Sequence, residues 1–324
     1  MKLKIVVAFV AVTLLSQQSN AAPLVESRTI TRPEGSRNYL VMQPASAARS
    51  LRPLVILLHG HGGSAEFMLG QVPILGYTAP AWRLLAEREG LLLIAANGVD
   101  GADGNSAWND CRADAASNST ADDVGFISAL IDKAILEDHA DPKRIYVFGH
   151  SNGGGMAYRL GIELGPRLAA IGVQSMVMAA HSSCKPAAFP LPVFVSHGTQ
   201  DKVIPFGGGA MGGAVLTNRG SGVSAEESVA IWRRLAALPE KPAVYHFPHL
   251  NPGDPTSAAR FVWGSDPHGL QVCFLRIEGG GHVHASKTEE FPPQLRKLVG
   301  EMNHDADTVE EVWAFFKDKR APAD

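Results

Sequence analysis

The chain predicts an α/β domain with a mostly parallel central sheet and helices on both faces. Three observations lead there. Leu54-Val55-Ile56-Leu57-Leu58 is an unbroken apolar run, as expected of a strand covered on both sides. Residues 91–95 repeat that pattern after a helical stretch at 82–89, so strands and helices alternate. Ile145-Tyr146-Val147-Phe148 then meets Gly149-His150-Ser151-Asn152-Gly153 with no polar spacer, and an apolar helical segment follows.

Taken in order, residues 1–21 carry Lys2 and Lys4, an apolar run at 5–15 and small residues up to Ala21. This is the pattern of a secretory signal peptide cleaved after Ala21. The run is shorter than the roughly 20 apolar residues that span a bilayer, so no stable membrane insertion is expected. Residues 23–324 then predict a single domain, secreted or periplasmic. Residues 24–50 suit an opening hairpin at a sheet edge. Residues 97–121 form a long polar loop containing Trp108 and Cys111. Asp122-Asp123 suits the start of a helix carrying Val124, Ile127, Ile131 and Ile135.

Beyond the elbow at Ser151, residues 170–178 and 193–195 read as strands, 207–222 as a glycine-rich loop and 226–238 as an amphipathic helix. Residues 248–269 read as irregular, being dense in Pro, Gly, Asp and Ser. A last strand at 270–277 runs into Gly279-Gly280-Gly281-His282, and a closing helix holds Val309, Val312, Trp313, Phe315 and Phe316. A net charge of −3 without any basic block gives no basis for a nucleic-acid partner. Three cysteines permit three pairings. Cys111 and Cys184 fall in loops leaving strand ends whereas Cys273 lies in an apolar strand, so a Cys111 to Cys184 disulfide with a buried Cys273 thiol is expected.

The chemistry follows from where polar residues meet strand ends. A serine hydroxyl becomes a nucleophile only when a base takes its proton, and that base must be oriented by a third group. Ser151, Asp201 and His282 each follow an apolar strand, and parallel strands end on one rim, so all three converge. His284 competes with His282 for the role of base. The oxyanion of an acyl-transfer intermediate needs two backbone N–H groups, expected from Asn152 and from His61 in the turn after the first buried strand. The pairs His59/His61 and His282/His284 also invite a metal reading, but no carboxylate or cysteine cluster completes a ligand set.

Five spaced motifs carry a family resemblance: His59-Gly60-x-Gly62-Gly63, Asp122-Asp123-Val124-Gly125-Phe126, Gly149-His150-Ser151-Asn152-Gly153, His197-Gly198-Thr199-x-Asp201 and Gly279-Gly280-Gly281-His282. They resemble the secreted polyhydroxybutyrate depolymerase and feruloyl esterase group of α/β-hydrolases, from about residue 35 to the final helix. The resemblance implies the α/β-hydrolase fold and a serine ester hydrolase with no cofactor, acting on a small-molecule or oligomeric ester. It also implies that the loop with Trp108-Asn109-x-Cys111 borders the substrate site, making Trp108 a candidate substrate contact. Departures lie near the rim: His284 stands where relatives commonly have Trp, and Ala95-Ala96-Asn97-Gly98 replaces Tyr-Pro-Asp-Gly. Phenolic (feruloyl-type) esters are the favoured substrate, then hydroxybutyrate oligomers; peptidase, acyltransferase and non-catalytic binding functions are further alternatives. The loops at 207–222, 248–269 and around Trp108 are expected to line the acyl pocket.

Overall fold

A computed structural model describes residues 24–44, 50–73, 80–214, 216–249 and 251–322. The signal-peptide segment lies outside the described residues. In chain order the strands are β1 (Leu24–Arg32), β2 (Gly35–Gln43), β3 (Arg52–Leu58), β4 (Leu92–Ala96), β5 (Val99–Asp100), β6 (Ser106–Ala107), β7 (Ala140–His150), β8 (Ala170–Gln174), β9 (Val193–Gly198), β10 (Gly209–Ala210), β11 (Ser221–Gly222), β12 (Ala243–His246), β13 (Ser257–Trp263) and β14 (Val272–Glu278). The helices are α1 (Ala65–Met68), α2 (Ala81–Glu89), α3 (Asp123–Glu137), α4 (Asn152–Glu163), α5 (Ala225–Leu235), α6 (Pro293–Val299) and α7 (Thr308–Phe316).

Ten strands form one sheet in the order β1-β2-β4-β3-β7-β8-β9-β14-β13-β12. The inner run from β4 to β14 is parallel throughout. Antiparallel strands extend it at both edges, with the β1–β2 hairpin on one side and β13–β12 on the other. The expected opening hairpin is therefore present. The expected irregular stretch at 248–269 is corrected, because Ser257–Trp263 pairs along its whole length with Val272–Glu278.

Alternation along the central strands divides the core in two. Leu54, Ile56 and Leu58 of β3 pack with Phe126, Ile127 and Leu130 of α3, Met156 and Leu160 of α4, and Val229 and Trp232 of α5. Val55 and Leu57 point the other way, into a cluster with Trp82 and Leu85 of α2 and Val312, Trp313 and Phe316 of α7. A strand that must bury both faces cannot alternate polar and apolar residues, which is why β3 reads as a continuous apolar run. The helices carry their own start signals. Asp122 caps α3 by accepting from the Gly125 N–H, and Ser224 caps α5 by accepting from the Glu227 N–H. Glu226 and Glu227 stand in the first turn of α5 and Arg233 and Arg234 in the last, each end matched to the helix dipole.

Cys111 and Cys184 form the expected disulfide, and Cys273 is a buried free thiol in β14. No helix among the described residues is long and apolar enough to cross a membrane.

Ile56 is fully buried in the sheet centre, whereas Leu136 on α3 is 81% exposed. Ile56→Ala should cost about 2–5 kcal/mol of unfolding free energy. Leu136→Ala should stay within about 0.5 kcal/mol of the parent, both read from denaturant unfolding.

Candidate active site

Parallel register brings the candidate residues to one rim. Leu58 sits beside Gly149, His150 beside Gln174, Gln174 beside Ser196, and Ile277 beside Gly198. The chain leaving each strand end carries a candidate group: the His59–Gly63 turn after β3, Ser151 after β7, Asp201 after β9 and His282 after β14.

Ser151 occupies φ 54°, ψ −123°, at the junction of β7 and α4. A non-glycine residue with positive φ is strained, and here the reversal is held by the Ser151 N–H donating to the Gln174 carbonyl at 2.9 Å. Packing beneath it explains the motif's glycines. A Cβ on Gly149 would lie 2.0 Å from the Gly153 carbonyl oxygen, and one on Gly153 would lie 2.2 Å from the Leu58 carbonyl oxygen.

Asp201 is buried and fully committed. Its Oδ1 accepts from the N–H groups of Val203 and Ile204, both at 2.8 Å, and its Oδ2 lies 2.8 Å from His282 Nδ1. Burial alone would raise its pKa, but the His282 charge and hydrogen bond, then His197 and the Ile204 N–H, hold it below the ordinary carboxylate range. A carboxylate on Nδ1 puts the proton there and leaves Nε2 of His282 as the basic nitrogen. The His282 backbone is pinned by its own N–H donating to the Val299 carbonyl at 2.7 Å. His284 is engaged elsewhere, with Nε2 2.8 Å from Glu289 Oε2.

The turn after β3 is closed by the Gly62 N–H on Ser106 O and the Gly63 N–H on Gly60 O. The His61 side chain is drawn to Asp103 at 2.8 Å, and burial, then the Arg219 charge, lowers its pKa. Asn152 is the first residue of α4, so its N–H has no acceptor within the helix and lies at the positive end of the helix dipole. Each of the four paired histidines thus has a different partner: His59 bonds Gly60 O and the Gly98 N–H, His61 bonds Asp103, His282 bonds Asp201 and His284 bonds Glu289. Among the described residues the one cluster with metal-ligand spacing is Cys111, Glu163 and Cys184, and its two sulfurs form the disulfide.

Ser151 and His282 open into a cavity of about 460 Å³ whose wall is mainly apolar. Phe67, Trp82, Phe148 and Phe291 supply aromatic surface, with Leu295 and Val299 of α6 beside them. Gly60, His61 and Gly63 form part of the same wall, as do His150, Gln174 and His284. Two expectations are corrected here. Of the described residues of 207–222, Leu216 reaches the cavity, while none of those of 248–269 is part of its wall, Ser257–Trp263 among them lying toward the far edge of the sheet. Trp108 is 0% exposed and lies outside the cavity wall, packed in the core with Phe126 and Met156. The α6 wall escaped the sequence reading, although Leu295, Leu298 and Val299 at helical spacing after Pro292-Pro293 were a signal for it.

A mostly parallel sheet with a strained serine at a strand-to-helix turn, and a carboxylate-bound histidine on the wall of the same cavity, is the arrangement of an α/β-hydrolase. Residues 40–228 match the Phospholipase/Carboxylesterase family, and the chain belongs to that family, whose chemistry is carboxylic ester hydrolysis. The chain is 28% identical over 264 residues to NocK of Nocardia uniformis subsp. tsuyamanensis, whose name proposes an esterase, covering 80% of this chain and 73% of that protein. It is 29% identical over 235 residues to feruloyl esterase B of Piromyces equi, covering 68% of this chain and 40% of that one. Among solved structures, the acetyl xylan esterase from Aspergillus awamori superposes with a TM-score of 0.53 at 15% identity, covering 78% of this chain and 92% of that one, a likeness of fold.

Burial lowers the pKa of His59 to about 4 and pushes that of His150 well below its ordinary value. The unfolded chain therefore takes up these protons first as pH falls. His59 alone should remove about 3 kcal/mol of stability between pH 6.5 and 4, and none above that window. Unfolding free energies measured across this range should fall less steeply for His59→Gln than for the parent.

Proposed function

We propose that the protein hydrolyses carboxylic esters through an acyl-enzyme on Ser151. His282 Nε2 takes the Ser151 hydroxyl proton as Oγ attacks the ester carbonyl carbon, and Asp201 orients the imidazole and stabilises its cation. The carbonyl oxygen, now an anion, is received by the N–H groups of Asn152 and His61. Collapse of the tetrahedral intermediate breaks the bond to the alcohol oxygen, which leaves with the proton held by His282. Water activated by the same nitrogen then releases the acid.

The observation that carries this reading is that His282, on the wall of the cavity that Ser151 shares, is paired from behind with Asp201. The cavity's four aromatic side chains support a planar aromatic acyl group, so phenolic esters of the feruloyl type are the favoured substrates. Gln174, His150 and His284 are polar residues of the same wall, which supports a hydroxyacyl group and makes soluble hydroxybutyrate oligomers the second reading. The Cys111–Cys184 disulfide and the signal-peptide pattern support an exported, oxidising location.

Ser151→Ala should abolish labelling by a fluorophosphonate and remove nearly all ester turnover, and Asp201→Asn should lower kcat on the order of 10⁴-fold. EDTA should leave turnover unchanged. Ranked by kcat/KM, methyl ferulate should lead acetylated xylan, hydroxybutyrate oligomers and short nitrophenyl esters. A lead for the oligomers would reverse the substrate order, and turnover surviving Ser151→Ala would end the serine mechanism.

A further inference from the structure

The two proposed oxyanion donors come from segments far apart in sequence, each beyond the last hydrogen bond of its strand. The Leu58 to Gly149 register fixes the strands, and the residues that follow them touch where Gly153 packs on the His59 carbonyl and Gly60 on Ser151. One residue is bonded to both arms. The Trp108 N–H donates to Asn152 Oδ1 at 2.7 Å, and its carbonyl accepts from Asn152 Nδ2 at 3.1 Å. On its other side the indole Nε1–H donates to the His59 carbonyl at 2.9 Å, two residues before His61. The indole also lies against the His59 ring, centroids 5.0 Å apart.

We propose that Trp108 is a positioning residue that sets the separation of the Asn152 and His61 N–H groups, an inference resting on the serine-esterase reading above. The surroundings support a fixed bracket. Asp110 Oδ2 takes a second bond from Asn152 Nδ2 at 2.7 Å and is itself held by Arg112 and by Asn118. The next residue after Trp108 is tied by the Asn109 N–H to Asp123 Oδ2 at 2.8 Å, and Cys111 closes the loop onto Cys184. His59 is kept neutral by burial, and its Nε2 accepts the Gly98 N–H, so the arm that Trp108 grips cannot swing. An indole that served only to fill the core would need its ring and not its N–H. That difference separates the two roles.

Trp108→Phe keeps an aromatic ring and removes the bond to the His59 carbonyl. A shift of the donors by a fraction of an ångström should lower kcat by about 10- to 100-fold while KM stays within about twofold. Affinity for a trifluoromethyl ketone analogue of the substrate, which forms an oxyanion on Ser151, should fall in proportion to kcat/KM. Affinity for the uncleaved amide analogue should not change. Because Phe is smaller, a second variant carries 3-benzothienylalanine at 108, which keeps the shape of Trp and lacks the donor; it should reproduce the loss without lowering the melting temperature. Wild-type kcat in both variants, or a loss confined to KM, overturns the inference and leaves the serine mechanism standing. Failure of the wild-type chain to react with a fluorophosphonate overturns both.

Discussion

The site depends on a close approach of three backbones. The turn after β7 and the first turn of α4 lie against the end of β3 with no room for a side chain, as the 2.0 and 2.2 Å positions of hypothetical Cβ atoms on Gly149 and Gly153 show. This contact lets Ser151 stand at the head of the sheet, and it places the N-terminus of α4 beside the turn that carries His61. Two-sided burial of β3 and β7 keeps those strands from shifting, because any slip would move apolar residues between the two halves of the core.

The electrostatics around this contact are sparing. Asp201 is kept anionic by partners that outweigh its burial, while His59, His150 and His197 are kept neutral by burial. The His150 ring lies 4.9 Å from that of His282, so a charge on one opposes a charge on the other. With its neighbours neutral, an imidazolium on His282 would face the Asp201 carboxylate 2.8 Å away. Phe67, Trp82 and Phe291 give the cavity beside His282 an apolar wall.

Much of this was legible because the central strands obey one rule. A strand covered on both faces must be apolar throughout, so β3, β4, β7, β9 and β14 were all recognisable, and with them the residues that leave their ends. The disulfide followed from the same reasoning, since Cys273 sits inside such a strand. Strands β12 and β13 were not recognised. They lie at an antiparallel edge, Ala243–His246 is exposed throughout, and the Pro- and Gly-rich residues between them masked the Phe261-Val262-Trp263 run. The bonding of Trp108 was not legible for a different reason: the substrate role came from the family resemblance, and nothing in the local sequence shows that its indole N–H is used by a carbonyl 49 residues earlier.

The placement of Cys273 has a consequence for the survival of the disulfide. Its thiol lies within β14, between β9 and β13, and burial pushes its pKa up, so the folded chain presents no thiolate from this residue. Thiol–disulfide exchange needs a thiolate, so the Cys111–Cys184 bond is insulated from the one internal group able to scramble it. A thiol-specific reagent would meet Cys273 only when β14 leaves its neighbours. The rate of that reaction therefore times the opening of the sheet at the strand that also delivers His282.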